Sequence, residues 1–117
     1  MVHRQNDYRP DIRDAMRGGS GSVKIEHLWE QEELNSPTRM FSRITLAPGC
    51  SIGFHRHENE EEIFYIISGK AVADDNGEEV TLAPGDTILT GNGDGHSIAN
   101  AGNTPLEMLA VIIRFAQ

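Results

Sequence analysis

The chain has 117 residues, which suits one compact domain able to bury a core without covalent staples. Its net charge of −8 and pI near 5.0 exclude nucleic acid as a main partner, because phosphate binding needs a basic stripe and the ten Lys and Arg residues are scattered along the sequence. A single cysteine, Cys50, excludes an internal disulfide and fits a reducing compartment. With no apolar leader and no run of membrane-spanning length, a soluble cytoplasmic protein without a membrane partner is expected.

In chain order, residues 1–22 differ from the rest and are expected to form a short helical or irregular arm. Positions 8–16 (YRPDIRDAM) predict one or two helical turns after Pro10, a residue suited to a first helical turn. Arg17-Gly18-Gly19-Ser20-Gly21-Ser22 then breaks any regular element. It lacks the Lys-Ser/Thr of a phosphate loop and reads as a flexible or closely packed connector. Residues 23–117 read as one all-β domain, a sandwich or barrel, because short apolar or alternating stretches are punctuated by Gly, Pro and Asn. Strands are predicted at 23–29, 38–46, 51–57, 63–67, 70–74, 79–82, 87–89, 96–100 and 106–115, with a short helix or loop at 29–34. Asn76-Gly77 marks a hairpin, since both residues tolerate positive φ.

Two of these strands are apolar on both faces. One carries Phe64 and Ile66 against Ile63, Tyr65 and Ile67; the other carries Met108, Ala110 and Ile112 against Leu109, Val111, Ile113 and Phe115. A strand with one solvated face alternates apolar with polar, so a second cover is required. A homodimer is expected to supply it.

The chemistry gathers around His55 and His57. On a strand, residues i and i+2 share a face, so His-Arg-His becomes a pair of pincers. Glu62 opens the returning strand, and His96 comes from across the sheet. Three imidazoles and a carboxylate form a donor set that divalent transition metals accept, the carboxylate favouring harder ions such as Mn or Fe. Four protein donors leave about two positions of an octahedral ion open to a ligand. A structural zinc site would be closed and usually richer in cysteine.

These residues also fall in an order that resembles the cupin family. Gly49, five residues, His55-Arg56-His57, four residues, Glu62, six residues and Gly69 match the first cupin motif at every defined position. Gly85, five residues, Gly91-Asn92-Gly93, two residues, His96, three residues and Asn100 match the second, except that Gly91 stands where proline is usual. That departure is expected to loosen the turn without moving a ligand. The resemblance implies a double-stranded β-helix, a jelly-roll barrel, with Mn, Fe, Ni, Cu or Zn held by His55, His57, Glu62 and His96. The pattern is most similar to small bacterial cupins likened to oxalate decarboxylases.

Other residues are read more plainly. His3 and His27 lack motif context and are expected to be exposed. Glu60 and Glu61 flank the ligands and are candidate proton shuttles. Ser42 shares a face with Met40, Ile44 and Leu46 and is a candidate pocket group, whereas the parity of Phe54 points it away from the histidines. Phe64 and Tyr65 are assigned to the core, and Arg114 to solvent. Two function classes fit: a metal-dependent enzyme acting on a small carboxylate or oxidisable metabolite by decarboxylation, dioxygenation or isomerisation, and a non-catalytic small-ligand module using the same metal.

Overall fold

The computed structural model describes residues 1–115. Ten strands occur among them: β1 (Arg9–Asp14), β2 (Ser22–Trp29), β3 (Thr38–Leu46), β4 (Ser51–Arg56), β5 (Glu60–Ser68), β6 (Ala71–Asp75), β7 (Glu78–Leu82), β8 (Thr87–Gly91), β9 (Gly95–Asn100) and β10 (Leu106–Arg114). One sheet runs β1-β2-β3-β10-β5-β8 and the other β4-β9-β6-β7, with antiparallel pairing throughout. Strands that pair far from their chain neighbours, such as β3 with β10, make this a rolled two-sheet sandwich of the jelly-roll kind. Among the described residues no helix is long and apolar enough to cross a membrane.

The core lies between the sheets, and period-two alternation builds it. Ile44 and Leu46 of β3, Phe64 and Ile66 of β5, Met108 and Ala110 of β10, and Ile52 and Ile98 of the facing sheet are all buried. Asn100 ties the end of β9 by donating to the carbonyls of Leu46 and Thr104. At 31–33 the expected short helix or loop is a 3-10 turn, Gln31–Glu33.

The N-terminal region differs from the helix expected at 8–16. Arg9–Asp14 is a strand, paired residue for residue with β2 from Arg9↔His27 to Asp14↔Ser22. A helix this short is marginal in water, whereas the open edge of β2 offers a ready ladder. Pro10 has no N–H to give, and an edge strand is where a sheet tolerates that. The glycine run is closely packed. A Cβ on Gly19 would stand 2.2 Å from the Ser51 carbonyl oxygen, and one on Gly53 2.0 Å from that of Arg17. These two glycines therefore let the turn around Met16–Gly18 lie backbone to backbone on β4.

Candidate metal centre

The site forms at one end of the cavity between the sheets, and a bulge in β4 aims it. Ile52 pairs with Ile98, but the next pair is His55 with His96, so three steps on β4 span two on β9. The extra residue turns two consecutive side-chain positions, Gly53 and Phe54, away from the interior. Ile52 and the two histidines, of opposite parity, consequently all line the cavity. Phe54 lies outside, 45% exposed, with the Arg56 guanidinium 5.7 Å from its ring centre. Gly53 inside a strand is the sequence signal for this bulge.

The four expected donors meet. His57 Nε2 lies 2.8 Å from Glu62 Oε1, His96 Nε2 3.0 Å and His55 Nε2 4.0 Å from the same oxygen. His96 Nε2 is 3.2 Å from the Nε2 atoms of both His55 and His57. Donors at right angles on a metal with bonds of about 2.1 Å stand about 3 Å apart, and opposite donors about 4.2 Å. The cluster has both spacings, so the residues fit an octahedral ion. His57, Glu62 and His96 are buried, and His55 is nearly so.

The outer nitrogens fix which ring atoms face inward. His55 Nδ1–H donates to the Gly53 carbonyl at 2.8 Å, and His57 Nδ1–H donates to Glu60 Oε2 at 2.6 Å. Each neutral ring thus keeps its Nε2 lone pair for the centre, as a metal ligand requires. His96 Nδ1 is buried with no hydrogen-bond partner among the described residues, and Phe64 stacks on that ring at 4.9 Å with 7° between planes. The inward lone pairs of His55 and His57 beside a carboxylate favour a cation, metal or proton, standing among them. The acid–base balance reflects this. Burial works against a charged His57, yet hydrogen bonds with Glu62 and Glu60 outweigh it and raise its pKa above the ordinary histidine value. Burial likewise opposes ionisation of Glu62, but the partners His57 and His96 bring it down to about 2. For His55, burial prevails and the pKa falls.

Glu60 and Glu61 separate in role. Glu60 takes both Arg39 Nε and Nη2 at 2.9 Å while accepting from His57, so its carboxylate is fully engaged. Glu61 has the opposite parity to Glu60 and Glu62, and neither Glu60 nor Glu61 is among the residues lining the cavity. Close packing here explains Gly91 where cupins usually carry proline. A Cβ on it would stand 2.7 Å from Glu61 Cβ and 2.8 Å from the Glu60 carbonyl oxygen, so the turn is tight rather than loosened. Glu60→Gln is expected to weaken metal binding about 10- to 100-fold, measured by competition with a calibrated chelator, because the change removes the charge that holds both His57 and Arg39. Unchanged affinity would show that His57 needs no such support.

The cavity above the cluster has a volume of about 400 Å³. Met40, Ile44, Ile52, Phe64 and Ile112 wall it, and arginines from distant parts of the chain reach its mouth. Ser42 is buried beside the cavity but bonds His27 Nδ1 at 3.2 Å instead of lining the wall. His27, expected to be exposed, does line it and is largely buried. His3 is half-buried, packed edge-on against Trp29 and paired with Glu33. Arg114 is exposed as expected, at the mouth. Tyr65 is 45% exposed rather than core.

Residues 42–112 match the family pattern described as Cupin domain. The chain belongs to the cupin family. Over 113 residues, covering 97% of this cupin and 93% of the relative, it is 47% identical to the Oxalate-binding protein of Thermotoga maritima. It is 38% identical, over 93% of its own length and 78% of the relative's, to the Tetracenomycin polyketide synthase protein TcmJ of Streptomyces glaucescens. A crystal structure from Thermotoga maritima, described as a predicted oxalate decarboxylase, superposes with a TM-score of 0.93 at 46% identity, covering 98% of this chain and all of that one.

Proposed function

We propose that this cupin holds a divalent metal, manganese or iron by the carboxylate among its donors, and takes a small carboxylate of the oxalate class onto the open positions of that ion. The observation that carries the reading is the convergence of three Nε2 atoms and one carboxylate oxygen at the cavity floor, with ring tautomers set by Gly53 and Glu60. The names of the Thermotoga relatives support the ligand class. A bound metal supplies Lewis acidity and positive charge. The chain itself orients the donors, walls the ligand with apolar side chains and keeps bulk water from most of its surface. Turnover by a decarboxylase- or dioxygenase-type reaction also needs a proton carrier. Of the two acids expected to serve, we assign that role to Glu60, which hydrogen-bonds the candidate metal donor His57. The engagement of Glu60 by Arg39 and His57 favours the second reading, capture of the carboxylate without turnover.

Calorimetry on Mn²⁺- and Fe²⁺-loaded protein with oxalate, followed by assays for carbon dioxide release and oxygen uptake, separates these readings. Binding with loss of substrate supports the enzyme, binding without it the capture module, and no binding to protein that holds metal sinks both. Metal affinity is expected to fall as pH drops from 8 to 6. The proton on His57, whose pKa is raised, must leave before Nε2 can bind the ion, so lower pH favours the competing proton. A chelator competition that is flat over this range would contradict the lone-pair assignment.

We further propose that the chain is a cytoplasmic homodimer. The outward face of the six-stranded sheet carries Tyr65, Ile67 and Leu89 at 40–61% exposure, beside half-buried Ile63, Leu109, Val111 and Ile113. An apolar face of this kind on a soluble protein marks an interaction surface. Val111→Asp is expected to halve the mass seen by light scattering after gel filtration. A wild-type monomer at micromolar concentration would end this assignment.

A further inference from the structure

The cavity is larger than a two-carbon diacid needs, and its lining gathers five arginines against three acids, Glu30, Glu32 and Glu62. About 400 Å³ lies in the range that takes ligands well beyond oxalate in size. Of ten Lys and Arg residues in a chain of net charge −8, five line this one cavity: Arg9, Arg13, Arg17, Arg39 and Arg114. Three are neutralised, Arg9 by Glu30, Arg13 by Asp11 and Arg39 by Glu60. Arg17 and Arg114 have no acid within salt-bridge distance among the described residues.

Arg17 is also held in place by its backbone. Its φ is 55°, and that of Ala15 is 49°, a left-handed conformation that L residues seldom adopt. The surrounding contacts impose it. Gly19 and Gly53 permit backbone-to-backbone contact with β4, Ser51 N donates to Ser20 O at 2.8 Å, and Ser20 N donates to Ser51 Oγ at 2.9 Å. Gly53 lies two residues before His55, so the strand that aims the metal ligands also anchors the turn that presents Arg17. Mouth and floor are therefore one fixed frame. Arg114, at the end of β10, joins the mouth from the other sequence end. Between mouth and floor the wall includes Met40, Ile44 and Ile112, which suits an apolar carbon skeleton.

We propose that Arg17 and Arg114 form a second anion subsite at the mouth. The preferred ligand is then a dicarboxylate longer than oxalate, with one carboxylate on the metal and the other on these guanidiniums. The proposal rests on the carboxylate reading of the floor and deepens it. Arginine suits the role because its planar fork meets a carboxylate bidentately.

The test is calorimetry on the full, Mn²⁺-loaded chain with oxalate, succinate, glutarate and butyrate, the last matching succinate in length without a distal charge. The better of succinate and glutarate is expected to bind at least about tenfold more tightly than butyrate, since a charge-assisted hydrogen bond is worth that much. Arg17→Gln is expected to remove most of that advantage while the protein keeps its metal and its melting temperature. Arg17→Lys restores part of it. Arg56→Gln, whose guanidinium lies outside over Phe54, leaves every affinity as in the wild type. Longer diacids binding no better than butyrate, or an equal loss for all ligands in Arg17→Gln, would overturn the mouth subsite while leaving the floor reading intact. Failure of every acid, oxalate included, to bind protein with its metal in place would overturn the floor reading and this proposal together.

Discussion

Replacing His96 with alanine is expected to lower metal content from near one ion per chain to below about a tenth, a loss in affinity of more than about 100-fold, beyond what removal of an orienting partner costs. His96 is the donor nearest all the others, at 3.0–3.2 Å from Glu62 Oε1 and from the Nε2 atoms of His55 and His57. It also arrives from a different strand, β9, so its loss removes the one donor that closes the cluster from that side. Two imidazoles and a carboxylate remain, one donor fewer than the cluster brings together. Elemental analysis of protein purified with and without added Mn²⁺ measures the change, with circular dichroism to show that the sheets persist. His27→Ala is the matched control: it removes a ring that lines the same cavity without touching the cluster. Stoichiometric metal in His96→Ala would mean that the ion sits elsewhere, and the functional proposal would lose its foundation.

The four clustered donors are legible in the sequence because their spacing carries geometry. His55 sits on β4 and His57, two residues on, lies just past its end, while Glu62 returns on the next strand. Most strands were legible for the same reason, their turns being marked by Gly, Pro and Asn. What escaped depends on residues far apart in the chain. β1 forms because β2 offers an unpaired edge, a fact absent from the composition of positions 8–16. Glu60 is an orienting partner of His57 because Arg39, 21 residues earlier, takes the rest of its carboxylate. The arginines of the mouth run from position 9 to 114 and look dispersed until the sheets gather them. His27 and Ser42 find each other only through the register of β2 on β3. At Gly53 the signal is local, since a glycine inside a strand invites a bulge.

Phe64→Ala is expected to cost about 3–5 kcal/mol of stability, the usual range for deleting a buried phenylalanine, out of a total of about 5–15 kcal/mol. Phe64 is 1% exposed and belongs to the core cluster that includes Ile44, Ile66 and Met108. The more informative variant is Phe64→Leu, which keeps the site apolar and costs about 1–2 kcal/mol. His55 and His57 are steered by hydrogen bonds from their outer nitrogens, but His96 has no such bond among the described residues. Its orientation rests on the flat stack with Phe64, which leucine cannot supply. Phe64→Leu should therefore weaken metal binding about tenfold, as losses of orienting contacts do, while leaving a cooperative thermal transition. Met108→Leu, a buried change of similar stability cost with no part in that stack, should leave metal affinity where it was. Equal metal affinity in the two variants would show that the β-strand backbone alone aims His96, and that the phenyl ring contributes only its volume to the core.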